Sequence, residues 1–161
     1  MTADPIPGTP GDSRARRFKR PLSVLVVVHN EHGEVLLLRR VRPPGLWQSV
    51  TGSLEWDETA ARAAQRELRE ETGLDVAVED CHRQNRFPIR PEWRARYDPR
   101  VSENLEAVFV ARVSGRPQVR INPGEHDAFL WLPRQAAAER VFSWTNRDAI
   151  LAFVPPADAA D

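Results

Sequence analysis

Apolar residues gather in runs whose spacing changes along the chain. A β-branched run from Ser23 to Val28 precedes turn-forming residues at His29 to Gly33, and a second apolar run covers Val35 to Leu38. This pattern predicts two strands joined by a turn. Pro43-Pro44-Gly45 breaks the chain before Trp47 to Thr51, a further short strand. The period then lengthens: Ala61, Ala64, Leu68 and Thr72 fall on one stripe, which predicts a helix over Asp57 to Thr72. Asp57 or Thr59 can cap its start, and Gly73 stands where helices usually stop. Leu74 to Val78, roughly Asn104 to Val113, and Ala128 to Leu132 read as strands. Two short helices, near Arg134 to Arg140 and Asn146 to Phe153, close the pattern. The whole predicts a mixed α/β or α+β domain with helices flanking a strand-rich core.

The ends differ in character. Residues 1–18 are rich in Pro, Gly, Asp and Ser and lack hydrophobic periodicity, so they read as a disordered tail. That tail runs into a basic cluster of Arg14, Arg16, Arg17, Lys19 and Arg20, either a solvated arm or an anion contact. Residues 155–161 read as a flexible end, which leaves 19–154 as the domain. A chain of 161 residues suits one core. The longest apolar run, Leu22 to Val28, is far shorter than the roughly 20 residues of a membrane helix. The start lacks the pattern of a secretory signal, and the single cysteine, Cys81, fits a reducing cytoplasm and reads as a small buried apolar residue. Membrane partners are not expected.

Net charge is zero, so the field of the whole molecule does not gather polyanions. Lys19 is the only lysine; the other cations are arginines, whose planar fork suits phosphate oxygens. Genome composition explains such a bias equally well.

Chemistry concentrates between Gly52 and Leu74. Glu67, Glu70 and Glu71 stand at i, i+3 and i+4, which brings three carboxylates to one helix face. The apolar stripe lies elsewhere around the axis, so the acids are expected to point away from the core. Like charges at this spacing destabilise a helix, and a hard divalent cation with oxygen ligands reverses that cost. Such a cation can bind diphosphate oxygens and lower the pKa of a water. A surface helix laced with ion pairs, for instance Arg66 with Glu70, is the plainer reading. It leaves Glu58 and the glycines unexplained.

Gly52-Ser-Leu-Glu-Trp-Asp-Glu58 followed by Arg66-Glu-Leu-Arg-Glu-Glu-Thr-Gly-Leu74 fits the Nudix box, G-x5-E-x7-R-E-U-x-E-E-x-G-U, at every position. The chain is thus identified as resembling the Nudix hydrolases. The resemblance implies a mixed sheet between helices and Mg²⁺-dependent hydrolysis of a diphosphate linkage, with Mn²⁺ able to substitute. It implies that Arg66 and Glu58 fix the loop against the helix. Glu67, Glu70 and Glu71 would supply metal ligands and the base, and Gly52 a carbonyl ligand.

Outside the box, Lys19-Arg-Pro-Leu-Ser-Val-Leu-Val-Val27, Trp47-Gln-Ser-Val-Thr-Gly52, Gly124-Glu-His126 with Trp131-Leu132, and Ser143-Trp-Thr-Asn-Arg147 resemble the bacterial dihydroneopterin triphosphate pyrophosphatases. That resemblance implies conversion of 7,8-dihydroneopterin triphosphate to the monophosphate and pyrophosphate, a step toward folate. A broader nucleoside triphosphate or dinucleoside polyphosphate hydrolase is the alternative. A non-catalytic nucleotide-sensing domain is the third reading, which the complete set of box glutamates disfavours. Lys19 and Arg39 are the cations for the triphosphate or else solvated charges; Thr51 and Ser143 are substrate contacts or else a strand residue and a helix cap. Glu125 resembles a distant acid that completes the metal site, and its neighbour His126 reads as structural, since Mg²⁺ prefers oxygen. Arg83 to Arg100 carries six arginines interleaved with Phe87, Trp93 and Tyr97. This mix can place an aromatic such as Phe87 against a flat heterocycle, can bind single-stranded nucleic acid, or can simply run over the surface. Pro88-Ile89-Arg90-Pro91 departs there from the pattern of the relatives. A small phosphorylated molecule is the expected partner, and nucleic acid is not.

Overall fold

The computed structural model describes residues 18–157. The tail up to Arg17, with Arg14, Arg16 and Arg17 of the basic cluster, lies outside the described residues, as do residues 158–161. Among the described residues no helix is long and apolar enough to cross a membrane.

Strand β1 (Leu22–Asn30) is the spine of a seven-stranded sheet and is buried on both faces. That is why its sequence is a continuous apolar run rather than an alternating one. Val24, Val26 and Val28 pack on one side with Ala63, Ala64 and Leu68, whereas Leu25 and Val27 pack on the other with Ala137, Ala138, Ala149 and Ile150. The sheet therefore lies between helix α1 (Ala60–Thr72) and the pair α2 (Arg134–Arg140) and α3 (Trp144–Phe153). Strand β2 (Glu34–Arg40) pairs antiparallel with β1, with β3 (Trp47–Gln48), and with β7 (His126–Pro133). On the other side β6 (Glu103–Val113) runs parallel to β1 and carries β5 (Val78–Pro88) at the edge. Strand β4 (Val50–Ser53) pairs antiparallel with the start of β1 and delivers Gly52 to Glu67 in the second half of α1.

Helix α1 begins at Thr59, whose side chain accepts from the Arg62 N–H at 3.3 Å, and ends at Gly73 with φ of 74°. A left-handed residue that returns its N–H to the Arg69 carbonyl is the usual use of glycine here. Ser143 caps α3 by accepting from the Asn146 N–H at 3.2 Å, so that helix starts two residues earlier than the apolar period suggests.

Four expectations are corrected. Residues 74–77 form no strand: Leu74 and Val76 pack on the α1 core, and the Val76 carbonyl accepts from Gln65 instead of joining a ladder. On α1, Ala61 is exposed and Ala63 takes its place in the buried stripe. Cys81 is only half-buried. Arg83 to Pro88 does not wander over the surface but continues β5 against β6, after a register shift between Asp80 and Gln84. Residues 89–102 then leave the sheet, with Pro91–Arg96 as a short 3₁₀ helix.

Candidate active site

Arg66 organises the loop before α1. Its guanidinium forms a two-pronged pair with Glu58, Nε to Oε2 at 2.7 Å and Nη2 to Oε1 at 2.8 Å. The remaining hydrogens reach Glu67 at 2.8 Å, Glu70 at 3.2 Å and the Ser53 carbonyl at 3.2 Å. The forked bond holds the Glu58 carboxyl below the usual range and pushes the Arg66 pKa up. Glu58 also accepts from the Glu55 N–H at 3.0 Å, which closes the loop on itself. Arg20 donates to the carbonyls of Glu55 and Glu58, clamping that loop from the side of β1.

The three box glutamates do not share one environment. Glu70 is the outer one, with 57% of its side chain exposed. Glu67 lies against Gly52, and loss of water pushes its carboxyl up to about 7 against the opposing pull of Arg66. Glu71 is 3% exposed, which corrects the expectation that all three acids face away from the core. Its Oε2 accepts from the Thr51 N–H at 3.1 Å, and burial followed by repulsion from Glu67 and Glu125 drives its pKa well upward. Glu125 arrives from the loop before β7, where the Asn122 carbonyl accepts its N–H and its own carbonyl accepts from Val41. Glu71, Glu125 and His126 bring ligand atoms within 4.8 Å of one another.

His126 is buried, with neither ring nitrogen hydrogen-bonded among the described residues. Its Nε2 lies 3.7 Å from Glu71, too far for a hydrogen bond. Desolvation and then Arg40 lower its pKa to about 4, so the ring is neutral and the two do not form an ion pair near pH 7.

These residues fit a divalent cation. Buried carboxylates with raised pKa values, held together against their own repulsion, are the arrangement that a hard cation stabilises. Gly52 leaves the space for the Glu67 carboxyl: a Cβ there would overlap it and come within 2.7 Å of its Cγ. Gly52→Ala is expected to lower kcat/KM about tenfold to a hundredfold by displacing Glu67, because errors near 1 Å at a reacting centre carry such penalties. Steady-state kinetics beside a thermal melt check this; full activity would mean that Glu67 can move freely.

On the other side of β4 lies a cavity of about 490 Å³. Lys19, Thr51, Phe87 and Ser143, all read from the sequence as substrate contacts, line it together with Gly52. Arg39 does not. It bonds Asp127 at 2.7 Å and sits 5.7 Å from the Trp47 ring centre, while Arg40 lines the cavity instead. Successive residues of β2 face opposite sides, so Arg39 and Arg40 do not share a face, and the irregularity in pairing falls on β7, where Asp127 is passed over. Lys19, Arg40 and Arg96 gather between the cavity and the acids: desolvation, then repulsion from Arg96 and Arg40, lowers the Lys19 pKa, while Glu67 and Glu125 oppose that shift.

In the arginine-rich stretch, Phe87, Arg90, Trp93, Arg96 and Tyr97 line the cavity. Arg90 bonds Glu92 at 2.9 Å, and Arg100 bonds Asp98 at 2.9 Å. Arg83 lies 5.0 Å from the Phe153 ring centre. With much of its charge spent on such local partners, the stretch forms a wall rather than a basic track.

The sequence profile of the NUDIX domain matches residues 19–153. The chain is 43% identical over 143 residues to the dihydroneopterin triphosphate diphosphatase of Escherichia coli, covering 85% of this chain and 94% of that one. It is 35% identical over 144 residues to the Haemophilus influenzae protein of the same name, covering 86% and 90%. The solved structure of the E. coli dihydroneopterin triphosphate pyrophosphohydrolase superposes with a TM-score of 0.80 at 42% identity, covering 85% of this chain and 97% of that one.

Proposed function

This chain belongs to the NUDIX family, and on that premise we propose that it hydrolyses 7,8-dihydroneopterin triphosphate to the monophosphate and pyrophosphate, with Mg²⁺ and in the cytoplasm, as a step toward folate. One observation carries the reading: an acidic cluster suited to a divalent cation and a cavity walled by aromatic residues meet at Gly52. The identity to two relatives named for this reaction supports the choice of substrate.

Residues 19–154 form the catalytic domain in this reading. Glu67, Glu70, Glu71 and Glu125, with the Gly52 carbonyl, would hold the cation, Glu70 from the outer edge of the same face. When bound, the cation offsets charge on the diphosphate and makes a water more acidic; Mn²⁺ can replace Mg²⁺ in that role. Lys19, Arg40 and Arg96, which line the cavity beside the acids, orient the phosphates. Arg66 and Glu58 keep the loop registered against α1. Thr51, Phe87 and Ser143 line the cavity that receives the heterocycle.

Side-by-side kinetics with Mg²⁺ on the pterin triphosphate and on nucleoside triphosphates test the substrate. A kcat/KM at least about tenfold higher for the pterin is expected. A tenfold preference in the other direction overturns the pterin assignment in favour of a nucleotide hydrolase.

A further inference from the structure

Strand β6 places Asn104 and Glu106 two residues apart on one face, at the floor of the cavity. Across the ladder, Glu106 stands opposite Ser23 of β1 and Asn85 of β5, and Asn104 stands opposite Phe87. Both polar side chains are buried, at 4% exposure for Asn104 and 5% for Glu106.

Their hydrogen bonds leave acceptors over. Asn104 donates its amide to the Ser23 hydroxyl at 2.7 Å, and in this orientation Oδ1 is the free end. That oxygen has no hydrogen-bond partner among the described residues. Glu106 accepts from Asn85 at a long 3.5 Å and from the Thr145 hydroxyl. A carboxylate has about four acceptor positions, so two bonds do not saturate it. Burying a carboxylate this incompletely paired costs stability, and an apolar residue in its place would not. Burial also pushes the Glu106 pKa up, consistent with a group held short of partners.

We propose that Glu106 and Asn104 select the heterocycle by accepting hydrogen bonds from an exocyclic amine and the ring N–H beside it, the donor edge shared by pterin and guanine. A carboxylate receives such a donor pair as it receives the fork of arginine, with two parallel N–H···O bonds. The ring N–H and the amine would pair with Asn104 Oδ1 and with the acceptor positions of Glu106 that Asn85 and Thr145 do not use. A ring that lacks one donor leaves an acceptor buried and unpaired, which is the strongest form of polar discrimination. Glu106 is thus a specificity residue on the far side of the cavity from the cation site, and the inference rests on the reading of that cavity as the heterocycle pocket.

GTP and ITP isolate the effect, because they differ only in the exocyclic amine. The measured quantity is the GTP/ITP ratio of kcat/KM, or of inhibition constants against the pterin where turnover is slow. In the wild type the ratio is expected to be about tenfold or more, in keeping with a hydrogen bond to a charged acceptor. In Glu106→Gln, whose amide presents a donor where the substrate also donates, the ratio falls to within about threefold. Should that variant fail to fold, Glu106→Asp takes its place, with its carboxylate drawn back by one methylene and the same loss of ratio expected.

A wild-type ratio within threefold, or a ratio that survives in a folded variant, overturns the inference and assigns Glu106 to anchoring α3 through Thr145. These outcomes are separable from the choice of substrate. A strong GTP/ITP ratio with poor pterin turnover keeps the donor-edge inference and removes the pterin assignment; good pterin turnover with a ratio indifferent to Glu106 does the reverse.

Discussion

Glu71→Gln is expected to lower divalent-cation-dependent turnover by about a thousandfold while the fold survives, since stabilisation of several kcal/mol by a bound cation corresponds to that factor. The amide has the same shape, and its oxygen can still accept from the Thr51 N–H that holds Glu71 now. What it lacks is the charge. In the cation-free protein that charge is a burden, because Glu71 is desolvated and repelled by Glu67 and Glu125. The same variant should therefore melt no lower than the wild type without metal, and gain less when Mg²⁺ is added.

The pH dependence carries a definite sign. The Glu67 carboxyl titrates near 7 in the folded protein against 4.5 for an unperturbed group, and Glu71 is shifted in the same direction. Between those values the folded state binds more protons than the unfolded one, so cation-free stability falls as pH rises through that window. The buried neutral His126 acts in the opposite sense below about pH 6.5, so the carboxyl contribution is read by difference: in thermal melts with chelator, the midpoint should move downward more between about pH 5.5 and 7.5 in the wild type than in Glu71→Gln. Activity within tenfold of the wild type in Glu71→Gln would contradict the placement of Glu71 at the cation.

The features legible in the sequence were those set by local geometry. Helical period alone brings Glu67, Glu70 and Glu71 together, and Thr59, Gly73 and Ser143 act as caps because of their own side chains or lack of one. The doubly buried β1 was legible because no polar residue interrupts Val24 to Val28. The departures arise where tertiary neighbours decide. Glu71 lies on the acidic face of α1, yet β4 and the loop before β7 close over it and bury it. Arg39 and Arg40 face opposite sides of β2, and only their tertiary neighbours, Asp127 and Trp47 for the one and the cavity for the other, decide which serves the site. Asn104 and Glu106 alternate with Leu105 and Ala107, the pattern of a half-exposed strand, but the 3₁₀ helix Pro91–Arg96 and α3 stand over that polar face. Alternation tells which residues share a face and not what covers it.

Arg66→Ala should have the largest effect on stability. Among the described residues the Arg66 guanidinium is the one side chain that donates to Glu58, Glu67 and Glu70 together, and it also reaches the Ser53 carbonyl. Its side chain is 25% exposed, and those of Glu58 and Glu67 are 11% and 13% exposed, so water replaces only part of what is lost. Breaking a buried pair by removing one partner costs about 3–5 kcal/mol, and partial exposure here reduces that to about 2–4 kcal/mol. For a domain of this size the melting temperature should fall by roughly 10 °C. Arg66→Lys separates charge from shape: one ammonium can neutralise a neighbour but cannot form the forked bond to Glu58 while reaching Glu67 and Ser53. It should recover about half of the lost stability and little of the activity, because the loop carrying Glu58 no longer holds its register against α1. Melting curves and kcat for both variants at saturating Mg²⁺ decide the matter. If Arg66→Lys restores activity fully, net charge rather than the two-pronged bond holds the loop; if Arg66→Ala melts within about 2 °C of the wild type, the hub contributes little to the fold.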